Sequence, residues 1–249
     1  MTLLEVEGLT KRFGGLVAVN GVSFTLGAGE ITGILGPNGA GKTTVFNLLT
    51  GFLAADAGDM RLAGASLRGL KPHTIVRRGM ARTFQLARPF RLMSVLDNVA
   101  VACLAPHVRR TTPDVMARAR QTLAQVGLDA KAHLPVEILP YGDLRRLEIA
   151  RALATSPRVL LLDEPFAGLG AGEIQPLADL IRKLHGEGLS ILLIEHKLRE
   201  MMRLVARVIA LDFGEVIAEG RPEEIVRHPK VIEAYLGRDG NGDGAAGDR

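Results

Sequence analysis

The stretch ITGILGPNGAGKTTVFNLLTG, residues 31–51, constrains this chain more than any other. A short apolar run bounded by glycine reads as a buried strand. Gly36, Pro37, Asn38, Gly39, Ala40, Gly41, Lys42, Thr43 and Thr44 then match the pattern G-x-x-x-x-G-K-[ST], and a helix closed by Gly51 follows. Glycines let the backbone wrap so that successive N–H groups point inward at phosphate oxygens. The helix N-terminus adds a partial positive charge. Lys42 brings a full charge to the β- and γ-phosphates, and the Thr43 hydroxyl is placed to ligate Mg²⁺. The alternative is a glycine-rich turn that binds nothing; the lysine, the threonine and both flanking elements weigh against it.

A phosphate loop of this kind needs a carboxylate at the end of a neighbouring strand. The run VLLLDE, residues 159–164, supplies one. Four apolar residues bury the strand and Asp163 emerges at its C-terminal edge, where ligands bind in such sheets. Asp163 is expected to hold Mg²⁺ through water. Glu164 is expected on the other side of the strand, where it polarises an attacking water as a general base. A bland reading has Asp163 merely capping the turn at Pro165. The glycine loop favours the metal role.

The remaining pattern sets the architecture. Residues 3–26 alternate as antiparallel strands do, and from about residue 144 helices and strands follow one another regularly, with strands over 158–163 and 189–195 and helices over 173–185 and 197–205. That alternation predicts a mostly parallel sheet covered on both faces. Helices over 94–104 and 113–127, the latter opened by Pro113, form an inserted helical subdomain of about residues 86–153. The fold class is therefore α/β, a P-loop NTPase with a mostly parallel core sheet, an N-terminal antiparallel β subdomain and a helical insert. Residues 1–237 read as one domain. The Gly/Asp-rich residues 238–249 read as a disordered tail.

Composition narrows the function. In 249 residues the net charge is only +4 and the basic residues are scattered, so nucleic acid is not an expected partner. Apolar runs stop at four or five residues, far short of the roughly 20 a spanning helix needs. The start lacks the layout of a secretion signal. A single cysteine, Cys103, excludes an internal disulfide. The DFG at 212–214 reads as a turn between strands, and His73, His107 and His228, each beside a proline, read as surface-turn residues.

On these motifs the chain resembles the ATP-binding subunit of ABC transporters. The resemblance covers nearly all of residues 3–237 and implies ATP and Mg²⁺ as cofactors. It implies that Phe13 in KRFGG stacks on adenine. Gln85 in RTFQ would touch Mg²⁺ and the attacking water and link to the membrane subunit, and His196 in LLIEH would contact the γ-phosphate. LPYGD, with Tyr141, Gly142 and Asp143, stands where the family carries its signature, most often L-S-G-G-Q. In the family that loop covers the γ-phosphate held by a second subunit, so a dimer is expected, with itself or with a paralogue.

Within the family the stretches RTFQ, DEPFAGL, IEHK and EGRPEEIVRHPKVIEAYLG resemble the larger ATPase subunit of branched-chain amino acid importers. A lipopolysaccharide-export ATPase and urea or amide importers are the nearer alternatives. A soluble ABC ATPase of DNA repair or translation, and a regulatory module without turnover, are the more distant ones. The resemblance implies permease partners, an indirect periplasmic binding protein, and a peripheral place on the cytoplasmic membrane face. Residues 86–105 are expected to dock a permease helix through Phe90, Leu92, Met93 and Val95 beside Arg88 and Arg91. Three positions depart from the pattern. Pro140 replaces the signature serine, Asp143 replaces its glutamine and is expected to cap the helix, and Gly170 ends the loop that pairs across the dimer.

Overall fold

The computed structural model describes residues 1–85, 88–112 and 114–239. The N-terminal sheet is antiparallel: β1 (Thr2–Phe13), β2 (Leu16–Gly27), β4 (Ala57–Leu62) and β5 (Ala65–Ser66) lie in the order β2-β1-β4-β5. Strand β1 buries Leu4, Val6 and Leu9. The step from Val6 to Leu9 is odd, so strict alternation would turn Leu9 outward. A register shift between Val6 and Leu9, with Gly8 at φ 59°, returns it to the core.

The second sheet contains β3 (Ile31–Leu35), β6 (Met80–Arg82), β7 (Val159–Asp163), β8 (Ser190–Ile194), β9 (Arg207–Asp212) and β10 (Glu215–Gly220). Its order is β10-β9-β3-β8-β7-β6. All neighbours are parallel except the β9–β10 hairpin. Strands β3, β7 and β8 are buried at every position, as continuous apolar runs require when both faces are covered. Successive residues then serve opposite cores. Leu160, Leu162, Ile191 and Leu193 pack with the helical side, while Val159, Leu161, Leu192 and Ile194 pack with the N-terminal sheet and α1 (Lys42–Leu49).

The helices follow the expected order. They are α2 (Pro72–Arg78), α3 (Val95–Cys103), α4 (Pro106–Thr111), α5 (Val115–Val126), α6 (Tyr141–Leu153), α7 (Ala171–Gly186), α8 (Leu198–Met202), α9 (Pro222–Ile225) and α10 (Pro229–Asp239). Pro113 lies outside the described residues. Helix α5 begins at Val115, where the Asp114 carboxylate accepts from the Ala117 N–H at 2.9 Å. Helix α4 is a departure from expectation. His107 is half-buried in its first turn, with Nε2 3.0 Å from the Thr155 carbonyl, rather than in a surface turn. Helix α10 runs to Asp239, past the expected start of the tail, whose remainder lies outside the described residues.

One buried side chain ties the insert to the loop before it. Asn98 on α3 is fully buried, its amide nitrogen donates to the carbonyls of Phe90 (3.1 Å) and Ser94 (2.9 Å), and its oxygen accepts from the Phe90 N–H at 2.8 Å. Replacing Asn98 by Ala strands these groups in the interior. The expected loss is about 1–3 kcal/mol, read as a lowered midpoint in urea unfolding. An unchanged midpoint contradicts this account of the loop.

Candidate functional site

The glycine loop leaves the C-terminal edge of β3 and turns into α1. Gly41 has φ 99°, and a Cβ there would stand 2.5 Å from the Ala18 carbonyl on β2, so no other residue fits without moving that strand. Gly36 and Pro37 are buried under the loop rather than facing its cavity, and their carbonyls accept from Lys42 Nζ at 2.6 and 2.9 Å. Asn38, Gly39, Ala40, Gly41, Lys42, Thr43 and Thr44 line a cavity of about 410 Å³. Phe13, Leu16, Val17, Ala18, Glu164, His196 and Phe213 complete it. Phe13 is half-exposed, and Lys11 Nζ lies 5.6 Å from its ring centre.

The two acids separate as expected, but by a different device. Strand β7 ends at Asp163, so pleat alternation does not carry on to Glu164. Glu164 instead adopts the left-handed conformation, φ 48°, with its N–H bonded to the Ile194 carbonyl at 2.9 Å. A non-glycine residue in that region is strained and is held by its surroundings. Its carboxylate is held from both sides, accepting from Gln85 Nε2 at 2.8 Å and lying 2.8 Å from His196 Nε2. Residues distant in sequence thus meet on one carboxylate at the mouth of the glycine-loop cavity. Beneath them the buried Glu195 carboxylate accepts from the N–H groups of Phe166, His196 and Lys197, which fixes the turn that presents His196.

Asp163 opens on an adjoining cavity of about 500 Å³, lined also by Thr43, Arg82, Gln85 and Glu148. Hydroxyl, amide and carboxylate oxygens there suit Mg²⁺. Among the described residues no three His, Cys, Asp or Glu side chains converge as a metal set. The described residues alone offer too few ligands to cage an ion, and phosphate oxygens and water would complete the shell. Burial pushes the Glu148 carboxyl up, against the pull of Arg145 and Arg151.

Tyr141, Gly142 and Asp143 stand apart from the glycine-loop cavity. They form the first turn of α6, which starts at Tyr141 rather than about residue 144, with Pro140 at its N-cap. The expectation that Asp143 caps this helix fails. Asp143 sits inside the first turn and pairs with Lys131. The Gly142 N–H donates to Glu173 Oε1 at 3.0 Å, and the Gly170 N–H donates to Glu173 Oε2 at 3.0 Å, so one carboxylate joins the two loops. Arg145 is buried nearby. It donates to the carbonyls of Phe84 (3.1 Å) and Ala167 (3.2 Å), and its guanidinium lies 5.1 Å from the Tyr141 ring centre.

The family profile described as "ABC transporter" matches residues 19–167. The chain belongs to the ABC transporter family. A second profile, "Branched-chain amino acid ATP-binding cassette transporter", matches residues 215–241 of this ABC chain. The high-affinity branched-chain amino acid transport ATP-binding protein BraF of Pseudomonas aeruginosa is 43% identical, with 94% of this chain and 98% of the relative covered. The lipopolysaccharide export system ATP-binding protein LptB of Acidithiobacillus ferridurans is 38% identical, with 94% and 97% covered. A crystal structure of the ADP conformation of an ABC transporter's ATP-binding cassette superposes with a TM-score of 0.87 at 30% identity, covering 95% of this chain and 99% of that one.

Several residues of this ABC cassette's site were not anticipated. Phe213 belongs to the DFG turn, which does join two strands, but Phe213 has φ 43° and lines the glycine-loop cavity. The next residue, Gly214, donates its N–H to the Ala40 carbonyl at 3.1 Å. Glu173 and Arg82 were also missed. A lone acid in a helix's first turn and a lone arginine on a short strand carry no motif, and only the fold shows what they touch.

Proposed function

We propose that this chain binds ATP with Mg²⁺ and hydrolyses it to power uptake of branched-chain amino acids through a membrane permease. It does so from the cytoplasmic membrane face, paired with a second cassette and served indirectly by a periplasmic binding protein. The observation that carries the reading is the Glu164 carboxylate, held by Gln85 and His196 beside the glycine loop. That is the geometry of a general base aimed at water next to a terminal phosphate. The loop and Lys42 bind the phosphates, Thr43, Gln85 and Asp163 face the ion, and Phe13 offers its half-exposed face to the base. Bound Mg²⁺ supplies charge neutralisation at the β- and γ-phosphates.

The cargo rests on the branched-chain profile at residues 215–241 and the 43% relative, against 38% for the lipopolysaccharide exporter. The test is reconstitution with candidate permeases and a binding protein in vesicles. Leucine-dependent phosphate release supports the reading, and release that follows lipopolysaccharide instead overturns the cargo. Docking is proposed at the patch after Gln85. Phe90 and Leu92 are exposed there, Leu92 almost wholly so, while Val95 is in the core and drops out of the expected set. Leu86 and Ala87 lie outside the described residues. Crosslinks from Arg91 or Met93 to the permease are expected, and their absence at both positions counts against this docking face.

Pro140 weakens closure on this reading. Proline has neither the hydroxyl nor the N–H that serine would offer a partner's γ-phosphate, and the Gly142 N–H is engaged by Glu173. A charge-assisted bond of this kind is worth about 1.5–3 kcal/mol, or roughly 10- to 150-fold in the closing equilibrium. Pro140→Ser is expected to raise the ATP-driven dimer fraction in sedimentation on a Glu164→Gln background. Equal fractions with and without the substitution would mean the missing hydroxyl does not limit closure.

A further inference from the structure

Asp163 is not free to meet an ion unopposed. Arg82, at the end of edge strand β6, donates from Nη2 to Asp163 Oδ2 at 2.6 Å, with both side chains about 5% exposed. The guanidinium is held in place independently of Asp163. Nη1 donates to Asn47 Oδ1 on α1 at 2.7 Å, and the ring centres of Phe46 and Phe84 lie 5.4 and 5.1 Å away. Nε is buried without a hydrogen-bond partner among the described residues. The pairing follows from the parallel register, which sets Arg82 beside Leu161 so that its side chain reaches the strand end two residues on.

We infer that Arg82 is a positioning residue, a built-in counter-cation that orients the Asp163 carboxylate and keeps the site closed to a bare divalent ion, so that Mg²⁺ enters only together with nucleotide. This rests on the Mg·ATP reading above. A guanidinium already neutralises the Asp163 carboxylate, Glu148 on the same cavity is held by Arg145, and a dication brought to Asp163 meets a like charge a few ångströms away in a largely buried setting. Phosphate oxygens change the balance, since they bring several negative charges and most of the ion's ligands. Asp163 would then help hold the ion while keeping its bond to Arg82. The arrangement also explains why an arginine is used. Its fork spans Asp163 and Asn47 at once, which a lysine's point charge does not.

The experiment measures Mn²⁺ binding by electron paramagnetic resonance, first without nucleotide and then with a non-hydrolysable ATP analogue, for wild type, Arg82→Gln and Arg82→Lys. Without nucleotide, Arg82→Gln is expected to bind Mn²⁺ about tenfold more tightly or better than wild type, and Arg82→Lys, which keeps the charge, to stay near wild type. With the analogue bound, the gap between wild type and Arg82→Gln is expected to narrow to about threefold or less. A merely structural arginine predicts the opposite, metal binding unchanged or weakened in both states. Equal nucleotide-free affinities in wild type and a folded Arg82→Gln overturn the inference while leaving the Mg·ATP reading intact. If wild type binds no Mn²⁺ even with the analogue, both fall. Should Arg82→Gln not fold, nitrogen-15 arginine spectra of the wild type decide. The Arg82 Nη signals are expected to shift with Mg²⁺ plus analogue and not with Mg²⁺ alone; a shift with Mg²⁺ alone, or with neither, overturns the inference.

Discussion

Glu164→Gln is expected to keep ATP affinity and to slow hydrolysis by about 10²-fold or more, the usual range for losing a general base. The amide is nearly the same shape, so the left-handed backbone and the N–H bond to the Ile194 carbonyl are expected to survive. What is lost, on the proposed mechanism, is the group that would take a proton from water. One of the two grips on the side chain also changes, because an amide offers a single oxygen where the carboxylate offers one to Gln85 and one to His196. Binding and chemistry are therefore expected to part. Calorimetry reads an unchanged ATP affinity, single-turnover phosphate release reads the slowed step, and size exclusion reads an accumulating ATP-bound dimer. Turnover at the wild-type rate would remove Glu164 from the mechanism.

Lys42→Ala is expected to cost ATP affinity by about 10²-fold, the scale of a charge-assisted bond to phosphate. The loop geometry sharpens the expectation. Lys42 Nζ is anchored on the carbonyls of Gly36 and Pro37, so its charge is positioned before nucleotide arrives and little freedom is lost on binding. Alanine removes the charge and also leaves those two carbonyls without this donor. Calorimetric titration with ATP is the measurement, and an affinity within about threefold of wild type would be too small for a lost charged contact of this kind.

The contrast between these residues and those that were missed is physical. Lys42 and Thr43 were legible because a phosphate loop needs its glycines, lysine and hydroxyl in consecutive order along one turn. Asp163 and Glu164 were legible because four apolar residues before an acid mark a strand end. The core strands could be read for a related reason, since both their faces are covered and most of their residues are apolar. Arg82, Glu173, Glu195 and Phe213 act across the fold. Arg82 meets Asp163 only because β6 and β7 are paired in one register, and Phe213 reaches the cavity only because a hairpin turn folds back on the glycine loop. The early start of α6 at Tyr141 was not legible because Gly142 in its first turn weakens the local helical signal. Asp143 was misassigned as a cap by the same error of boundary.

Arg145 carries a consequence for how such a subunit answers its neighbours. One guanidinium grips the carbonyl next to Gln85, the carbonyl of Ala167 beyond Glu164, and the face of Tyr141 at the head of α6. Two loops are thereby fastened to one planar group on α6, the helix that also carries Tyr141 one turn earlier. A push arriving at either of them strains the same side chain as a push at the other. On the proposed function, a displacement of either loop is expected to be felt at the head of α6 through this one side chain.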